Sequence, residues 1–189
     1  AADGSTPPRA VTSGDFDSGP AWSPDGRSLA FASRRAAKSG ESTLHVLPVG
    51  APGETRTIAT MKEGVSEICW SPDGRWVAFL SRTPHERYAA EDESWQAPRK
   101  VERFFSRLDN EGWIFDRPNH AYVVAADGTR APRNLTPGEF QHESITWKPD
   151  SSGLVLSAQR HDTWDLDFAS ALYSVPLDGD IEILTGLTG

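Results

Sequence analysis

Residues 70–79 read WSPDGRWVAF, a tight turn followed by a strand, and this stretch decides the fold. Proline at the second turn position presets φ, while Ser71 and Gly74 suit the first and fourth positions of a type I turn. Residues 77–80 are apolar at every position, whereas a strand with one solvated face would alternate. The stretch therefore predicts a turn that leads into a strand covered on both faces.

The same unit occurs three times along the chain. Residues 22–31 read WSPDGRSLAF, and residues 147–156 carry a degraded copy, WKPDSSGLVL. The first two copies begin 48 residues apart, and the second and third begin 77 residues apart. Periods of roughly 20–50 residues are typical of solenoids and propellers, and the shorter spacing suits a four-stranded blade. The longer spacing indicates an insertion of about 29 residues in the middle repeat.

Strand-like runs surround each turn, and helix signals are weak throughout the chain. We therefore predict an all-β fold, a partial β-propeller with about three four-stranded blades plus an outer strand of a preceding blade. The expected division is 1–15 for the end of the preceding blade, then blades at 16–63, 64–137 and 138–189, with the insertion at about 83–119.

Turn residues and apolar runs also predict the strands inside each blade. In chain order the predicted strands are 19–22, 27–33, 43–49 and 55–59, then 67–70, 75–82, 121–126 and 133–135, then 144–147, 154–159, 171–176 and 181–184. The basic loop 34–41 joins two strands of the first blade. Within the insertion, which begins with the acids Glu86, Glu91, Asp92 and Glu93, runs 101–108 and 112–115 are strand-like, with Asn110 near their turn.

The N-terminal residues repeat a passage from the middle of the chain. Residues 1–5, AADGS, recur as AADGT at 125–129, and residues 8–16, PRAVTSGDF, recur as PRNLTPGEF at 132–140. The second copy of this passage closes a blade. We therefore expect the chain to open inside a repeat and to be a portion of a longer protein.

Composition excludes several classes of partner. The net charge of −8 argues against a general nucleic-acid binder, which usually presents a basic face. No run approaches the ~20 apolar residues that span a bilayer, and the first residues show no signal peptide, so we expect no membrane partner and a cytoplasmic location. The single cysteine, Cys69, excludes an internal disulfide, and its place in a predicted strand indicates an inert buried thiol.

The chemically active residue types form no recognisable metal site. The five histidines lack the common metal-binding spacings. One acidic cluster follows the third turn, and it could be a solvated loop, a cation site or a set of partners for an arginine. Its members are His161, Asp162, Asp165 and Asp167. Because calcium-loop spacing is missing, we expect no metal and no cofactor.

Two further patterns have ordinary explanations. Residues 134–136 read NLT and fit an N-glycosylation acceptor, but they also fit the end of a blade strand. Asp25, Asp73 and Asp150 repeat because a turn aspartate bonds to nearby backbone, so they imply no catalytic pair.

The insertion holds the candidates for substrate- or domain-facing residues. Hairpins inserted in a propeller project from one face and can meet a partner domain or substrate, although the alternative is an ordinary extended hairpin. The candidates are Arg103, Arg107, Glu111, Trp113 and Asp116.

The repeated turn and strand resemble the propeller repeats of the Tol-Pal periplasmic protein and of the prolyl oligopeptidase family. Residues 104–116, FFSRLDNEGWIFD, lead into HAYVV at 120–124, and SAQRHDTWDLDFASALYSVPLDG follows at 157–179. Together these stretches resemble the propeller of the acylaminoacyl-peptidase branch of that family. The resemblance implies an α/β-hydrolase domain with a Ser-Asp-His triad, and a propeller that admits peptides and excludes folded proteins.

The chain departs from that family in its chemistry. No Gly-x-Ser-x-Gly nucleophile elbow occurs in it, so no catalytic residue is assigned and the chain alone is expected to be inactive. The expected partners are the hydrolase domain and peptide substrate of the parent protein, together with self-association through open blade faces. The alternative function is a protein-binding scaffold of the Tol-Pal type.

Overall fold

The structure is a computed structural model that describes residues 4–5, 7–14, 16–34, 41–50, 52–88, 92–109, 111–167 and 169–186. Predictions about residues 1–3, most of the loop 34–41, Glu91 and Asn110 lie outside the described residues.

The described residues form short strands that belong to three four-stranded antiparallel sheets and one small hairpin. The strands are β1 (Asp17–Trp22), β2 (Ser28–Ser33), β3 (Ser42–Pro48), β4 (Arg56–Met61), β5 (Val65–Trp70), β6 (Trp76–Arg82), β7 (Arg107–Leu108), β8 (Gly112–Trp113), β9 (Asn119–Ala125), β10 (Arg133–Asn134), β11 (His142–Trp147), β12 (Gly153–Ala158), β13 (Ala171–Pro176) and β14 (Glu182–Ile183).

Each large sheet is a blade in which neighbouring strands follow one another along the chain. Blade 1 has the order β1-β2-β3-β4, blade 2 has β5-β6-β9-β10, and blade 3 has β11-β12-β13-β14, while β7 and β8 pair inside the insertion of blade 2. This arrangement confirms the predicted partial β-propeller.

The predicted turn is present at the start of each second strand. In blade 2 the Gly74 amide donates to the Ser71 carbonyl over 2.9 Å, as a type I turn requires. The Ser71 hydroxyl donates to Asp73 Oδ1 over 2.6 Å and accepts from the Trp76 amide over 2.9 Å. Residues 23–28 repeat these bonds in blade 1. The repeated aspartates therefore belong to the turns.

The second strand of blade 2 is buried on both faces, as predicted. Val77 and Phe79 pack into the core shared with blade 1. The alternate residues Ala78 and Leu80 pack into the core shared with blade 3, against side chains such as Leu156. Because successive side chains of a strand point to opposite faces, one strand contributes to both cores.

Tryptophan indoles cross both junctions between blades. Trp70 Nε1 donates to the Ala21 carbonyl of blade 1 over 3.0 Å. Trp147 Nε1 donates to the Cys69 carbonyl of blade 2 over 3.2 Å. In both cases the acceptor is the residue before the tryptophan of the preceding blade.

Burial raises the pKa of the Cys69 thiol to about 12, so this thiol stays protonated and inert.

A left-handed residue stands three positions before the tryptophan in every blade. The φ angles are 60° at Gly19, 49° at Glu67 and 55° at Ser144, each within the register shift between the first two strands. Bulges of this kind favour glycine, which alone adopts positive φ without steric cost. Blades 2 and 3 therefore hold a strained residue where blade 1 has glycine.

Replacing Ser144 by glycine should stabilise the protein by about 0.5–1 kcal/mol, because the relief of left-handed strain exceeds the added entropy of the unfolded chain. Urea unfolding measures the change, and Ser144→Ala is the matched control because alanine keeps the Cβ. Equal stability of the glycine and alanine variants would contradict this explanation.

The N-terminal segment differs from its copy at the end of blade 2. Arg133 and Asn134 pair with β9, but the equivalent residues of the described segment 7–14 form no strand. Instead, residues 10–13 line an open cavity of about 810 Å³ over blade 1, together with Phe31 and other residues of β2–β4.

The insertion contains less strand than its sequence predicted. Among the described residues of the insertion, only 107–108 and 112–113 pair as strands, and two 3-10 helices, Glu86–Tyr88 and Glu93–Trp95, precede them. The backbone before the ladder finds other partners. The Phe104 amide donates to the Asp165 carboxylate over 2.8 Å. This bond to blade 3 takes the place of a backbone bond to another strand.

Candidate functional site

The insertion leaves blade 2 after β6 and returns at β9, and backbone bonds close its base. The Thr83 amide donates to the Pro118 carbonyl over 3.0 Å, and the His85 amide donates to the Asp116 carbonyl over 2.7 Å. The two ends of the insertion therefore lie side by side where the inner strands β6 and β9 of the blade end.

Asp116 anchors the inside of the insertion. Asp116 is only 6% exposed, and its carboxylate accepts a hydrogen bond from Arg99 Nε over 3.0 Å. The Arg99 guanidinium lies 5.7 Å from the centre of the Tyr88 ring and 5.6 Å from the centre of the Trp113 ring. Such cation–π contacts favour a fixed position for the guanidinium. Asp116, a predicted candidate for a substrate- or domain-facing residue, is buried, and its described partner is Arg99 of the insertion.

Arg103 joins the insertion to blade 3. Its guanidinium forms an ion pair with Glu139, stands 3.8 Å from Asp165 Oδ1 and lies 5.4 Å from the centre of the Trp164 ring. The neighbouring Phe104 amide also bonds to Asp165. Asp165 is thus the point at which the third blade holds the insertion.

Replacing Asp165 by alanine should release this attachment. Without an acceptor for the Phe104 amide, local opening becomes easier, and we expect native-state trypsin cleavage after Lys100 and Arg103 to accelerate about tenfold. Asp162→Ala is the matched control because Asp162 is exposed in the same loop. Equal cleavage rates for the two variants would show that Asp165 does not hold the segment.

Glu111 belongs to a second group of charges, at the seam between blades 1 and 2. Arg82 Nε donates to Glu111 Oε2 over 3.0 Å, and Arg82 Nη1 donates to the Arg117 carbonyl over 3.1 Å. Arg117 Nη1 donates to Glu63 Oε2 over 2.6 Å. These side chains line a cavity of about 540 Å³. Arg82 and Arg117 were not among the predicted candidates, because nothing in the local sequence shows that their charges pair with distant residues.

Arg107 and Trp113 form a third group, on the small hairpin. They are directly opposite each other in the ladder of β7 and β8, and the Arg107 guanidinium lies 5.9 Å from the centre of the Trp113 ring. The five candidates therefore do not line one pocket. Arg103 lies against blade 3 and Glu111 lies at the seam between blades 1 and 2. Arg107, Trp113 and Asp116 make their contacts within the insertion.

Several large apolar side chains of the insertion are exposed. Trp95 is 81% exposed and Phe104 is 75% exposed, and Val101 and Leu108 are also exposed. Exposed apolar side chains concentrated in one segment are typical of an interaction surface. These residues were not among the predicted candidates, because hydrophobicity alone does not distinguish a buried residue from an exposed one.

The acidic cluster lies in the loop between β12 and β13 of blade 3, and its members have different partners. The Asp167 carboxylate accepts from His161 Nε2 over 3.0 Å and from the Thr163 hydroxyl over 3.0 Å, while Asp165 faces the insertion. Asp165 has an arginine partner, Arg103, whereas Asp162 is exposed. Across the described ranges, no three His, Cys, Asp or Glu side chains are grouped to hold a metal ion. Nor does this part of the chain contain a helix of the length and apolarity needed to cross a membrane.

Two neutral histidines lie at the junction of blades 2 and 3. His142 Nε2 accepts from Arg160 Nη1 over 2.9 Å, so its Nδ1 donates to the Asn119 carbonyl over 3.0 Å. Burial lowers the pKa of His142 to about 3, and the Arg160 charge acts in the same direction. Burial likewise lowers the pKa of His120, against the effect of its bond to the Gly138 carbonyl.

The possible glycosylation acceptor is part of this polar junction. The Asn134 amide nitrogen lies 3.0 Å from His120 Nδ1, and Asn134 Oδ1 accepts from the Thr136 amide over 2.9 Å. Thr136 is fully buried. These contacts explain the NLT triplet as the end of a blade strand.

No protein-family model matches the chain, and no curated protein matches it. Solved structures do match. A Pyrococcus horikoshii acylaminoacyl peptidase superposes with a TM-score of 0.67 at 18% identity, covering 90% of this chain and 25% of that one. TolB from Acinetobacter baumannii gives a TM-score of 0.54 at 15% identity, covering 91% and 33%. A structure from a study of two prolyl endopeptidases gives 0.53 at 17% identity, covering 89% and 22%.

The chain thus spans about a quarter of the length of the acylaminoacyl peptidase that it matches. At these identities the match establishes the fold. The resemblance expected from the turn repeats and the insertion is confirmed at that level: the chain has the β-propeller fold that occurs in acylaminoacyl peptidase and prolyl endopeptidase structures.

Proposed function

We propose that this chain is a non-catalytic propeller portion of a serine peptidase of the acylaminoacyl-peptidase type. In this proposal it packs on an α/β-hydrolase domain and limits access to that domain's active site to peptides. The observation that carries the proposal is the TM-score of 0.67 over 90% of the chain, with only 25% of the peptidase covered. The absence of a Gly-x-Ser-x-Gly motif in residues 1–189 supports a non-catalytic role.

The insertion is our candidate for the surface that meets the hydrolase domain. Its base is closed on blade 2, and Asp165 and Arg103 hold it against blade 3. A segment positioned in this way can present Trp95 and Phe104 in a defined orientation. A rigid apolar anchor is the usual energetic centre of an interface between domains.

The test uses the protein expressed from the complete reading frame. We expect Trp95→Ser combined with Phe104→Ser to raise cleavage of a folded protein relative to a short peptide, by about tenfold. Leu184→Ser is the control, because Leu184 is exposed in blade 3 and lies outside the insertion. An unchanged ratio in the double variant would contradict packing through the insertion.

The second candidate function is a protein-binding scaffold of the Tol-Pal type. The match to TolB structures at a TM-score of 0.54 favours it, with a third of that chain covered. A scaffold requires no hydrolase domain. If a serine-directed probe does not label the whole protein and the protein still binds a protein partner, the scaffold function is favoured over the peptidase function.

A further inference from the structure

Arg34 and Arg82 occupy equivalent positions in blades 1 and 2. They lie 48 residues apart, which is also the distance between Trp22 and Trp70. Each lies at the end of the second strand of its blade, where the chain meets the start of the following blade. The surroundings of the two guanidinium groups can therefore be compared position by position.

The following blade supplies a side-chain acceptor to Arg82 but not to Arg34. Arg82 Nη1 donates to Gln141 Oε1 over 3.4 Å, and Gln141 directly precedes β11. The equivalent residue directly before β5 is Gly64, which has no side chain. A Cβ added to Gly64 would lie 3.3 Å from Arg34 Nη2, so the Arg34 guanidinium lies where such a side chain would begin.

Within the described ranges, no group accepts a hydrogen bond from the Arg34 guanidinium or forms an ion pair with it. Both blades that meet at this seam are described, so the lack of a side-chain acceptor from blade 2 is a consequence of glycine at position 64.

Arg34 lines the cavity of about 540 Å³ at the seam between blades 1 and 2, which we call the seam cavity. The other two arginines of its wall are already paired, Arg82 with Glu111 and Arg117 with Glu63. Three arginines and two glutamates leave one positive charge on the wall, in a chain whose net charge is −8. This balance favours a ligand with a single negative charge, because the two carboxylates repel the second charge of a phosphate.

The other features of the seam cavity fit a peptide that carries a carboxylate. The guanidinium group presents N–H donors in a planar fork that matches the two oxygens of a carboxylate. Val65 and Ser66 also line the cavity, and they begin β5, which is an edge strand of blade 2. An edge strand has backbone groups outside the ladder that an extended peptide can bond. The volume lies within the range of pockets that take small ligands.

We propose that the seam cavity binds a peptide through its carboxylate, and that Arg34 forms the ion pair. The carboxylate belongs either to the C-terminus of the peptide or to an acidic side chain. Arg82 and Arg117 are positioning residues, because their glutamate partners hold them in the wall. Binding of this kind requires no hydrolase domain, so the proposal does not depend on the peptidase function.

The first experiment compares three acetylated tripeptides on the protein expressed from the complete reading frame, treated with a fluorophosphonate so that no serine-dependent cleavage occurs. The Ala-Ala-Asp amide has only a side-chain carboxylate, the Ala-Ala-Ala acid has only a terminal carboxylate, and the Ala-Ala-Ala amide has neither. Ligand-detected NMR titrations give the dissociation constants. At least one acidic peptide should bind about tenfold more tightly than the neutral peptide, and its identity shows the source of the carboxylate. Equal affinity for all three, or no binding of any, would overturn the proposal.

The second experiment assigns the binding to Arg34. Arg34→Gln should raise the dissociation constant of the preferred acidic peptide about tenfold. Arg27→Gln is the matched control, because it removes the same charge from an exposed residue at the other end of β2 and should leave the constant unchanged. Unchanged affinity in Arg34→Gln, or an equal loss in Arg27→Gln, would overturn the proposal.

Gly64→Gln tests the same contact without removing the charge. It places at position 64 the amide that Arg82 meets in Gln141, so the new side chain should compete with the peptide for Arg34 and also weaken binding. Gly64 does not have a positive φ, so its backbone accepts glutamine. Unchanged peptide affinity in Gly64→Gln would show that the peptide does not bind beside position 64 and would overturn the proposed site.

Discussion

Replacing Phe79 by alanine should lower the free energy of unfolding by about 3–5 kcal/mol. Phe79 is 0% exposed in the central strand of blade 2 and stacks on Tyr122, with ring centres 5.6 Å apart. Its ring fills the core between blades 1 and 2. The substitution removes the transfer free energy of the ring and leaves a cavity that strands on two sheets cannot close.

Urea unfolding of purified chain, followed by tryptophan fluorescence, measures this effect. Phe104→Ala is the matched control because Phe104 is 75% exposed, and it should change stability by less than about 1 kcal/mol. Similar losses for the two variants would mean that the junction between blades 1 and 2 is not a packed core.

Acidification from pH 7 to pH 5 should cost about 2 kcal/mol of stability through His142 alone. This residue is 2% exposed, and burial lowers the pKa of its folded form to about 3, with Arg160 acting in the same direction. The unfolded form titrates near ~6.5, so between these values the unfolded chain binds more protons. The contribution is therefore complete above pH ~6.5 and is lost progressively as the pH falls toward 3.

The comparison with His142→Gln isolates this contribution. Glutamine does not titrate, so its variant should lose about 2 kcal/mol less than the parent between the two pH values, whatever its stability at pH 7. The carboxylates that titrate over this range are common to both proteins and cancel in the difference. Identical pH dependence in the two proteins would show that His142 is not held neutral in the fold.

The repeated part of the fold could be predicted because local and long-range signals agree there. The serine, proline, aspartate and glycine of the turn set its geometry, and the continuous apolar run after it requires covered faces on both sides. The spacing of Trp22, Trp70 and Trp147 then predicted the number of blades. The predicted strands 154–159 and 171–176 differ from β12 and β13 by one residue or less at each end.

The insertion could not be predicted in the same way, since its structure depends on partners that lie far away in sequence. Run 101–106 has the composition of a strand, but the Phe104 amide bonds to Asp165, 61 residues later. Nothing in the sequence indicates that Asp116 bonds to Arg99, whose guanidinium lies against the rings of Tyr88 and Trp113. The hydrogen bonds from the indoles to the preceding blade were not predicted either, although the repeated tryptophan could have suggested them.

The most direct test of the proposed function is to map the serine that a fluorophosphonate probe labels in the product of the complete reading frame. Such probes react with the activated serine of a hydrolase triad. A non-catalytic propeller portion predicts labelling at one serine outside residues 1–189, found by mass spectrometry, with none inside this range. Labelling of a serine within residues 1–189, or no labelling at all in a correctly folded protein, would contradict the account.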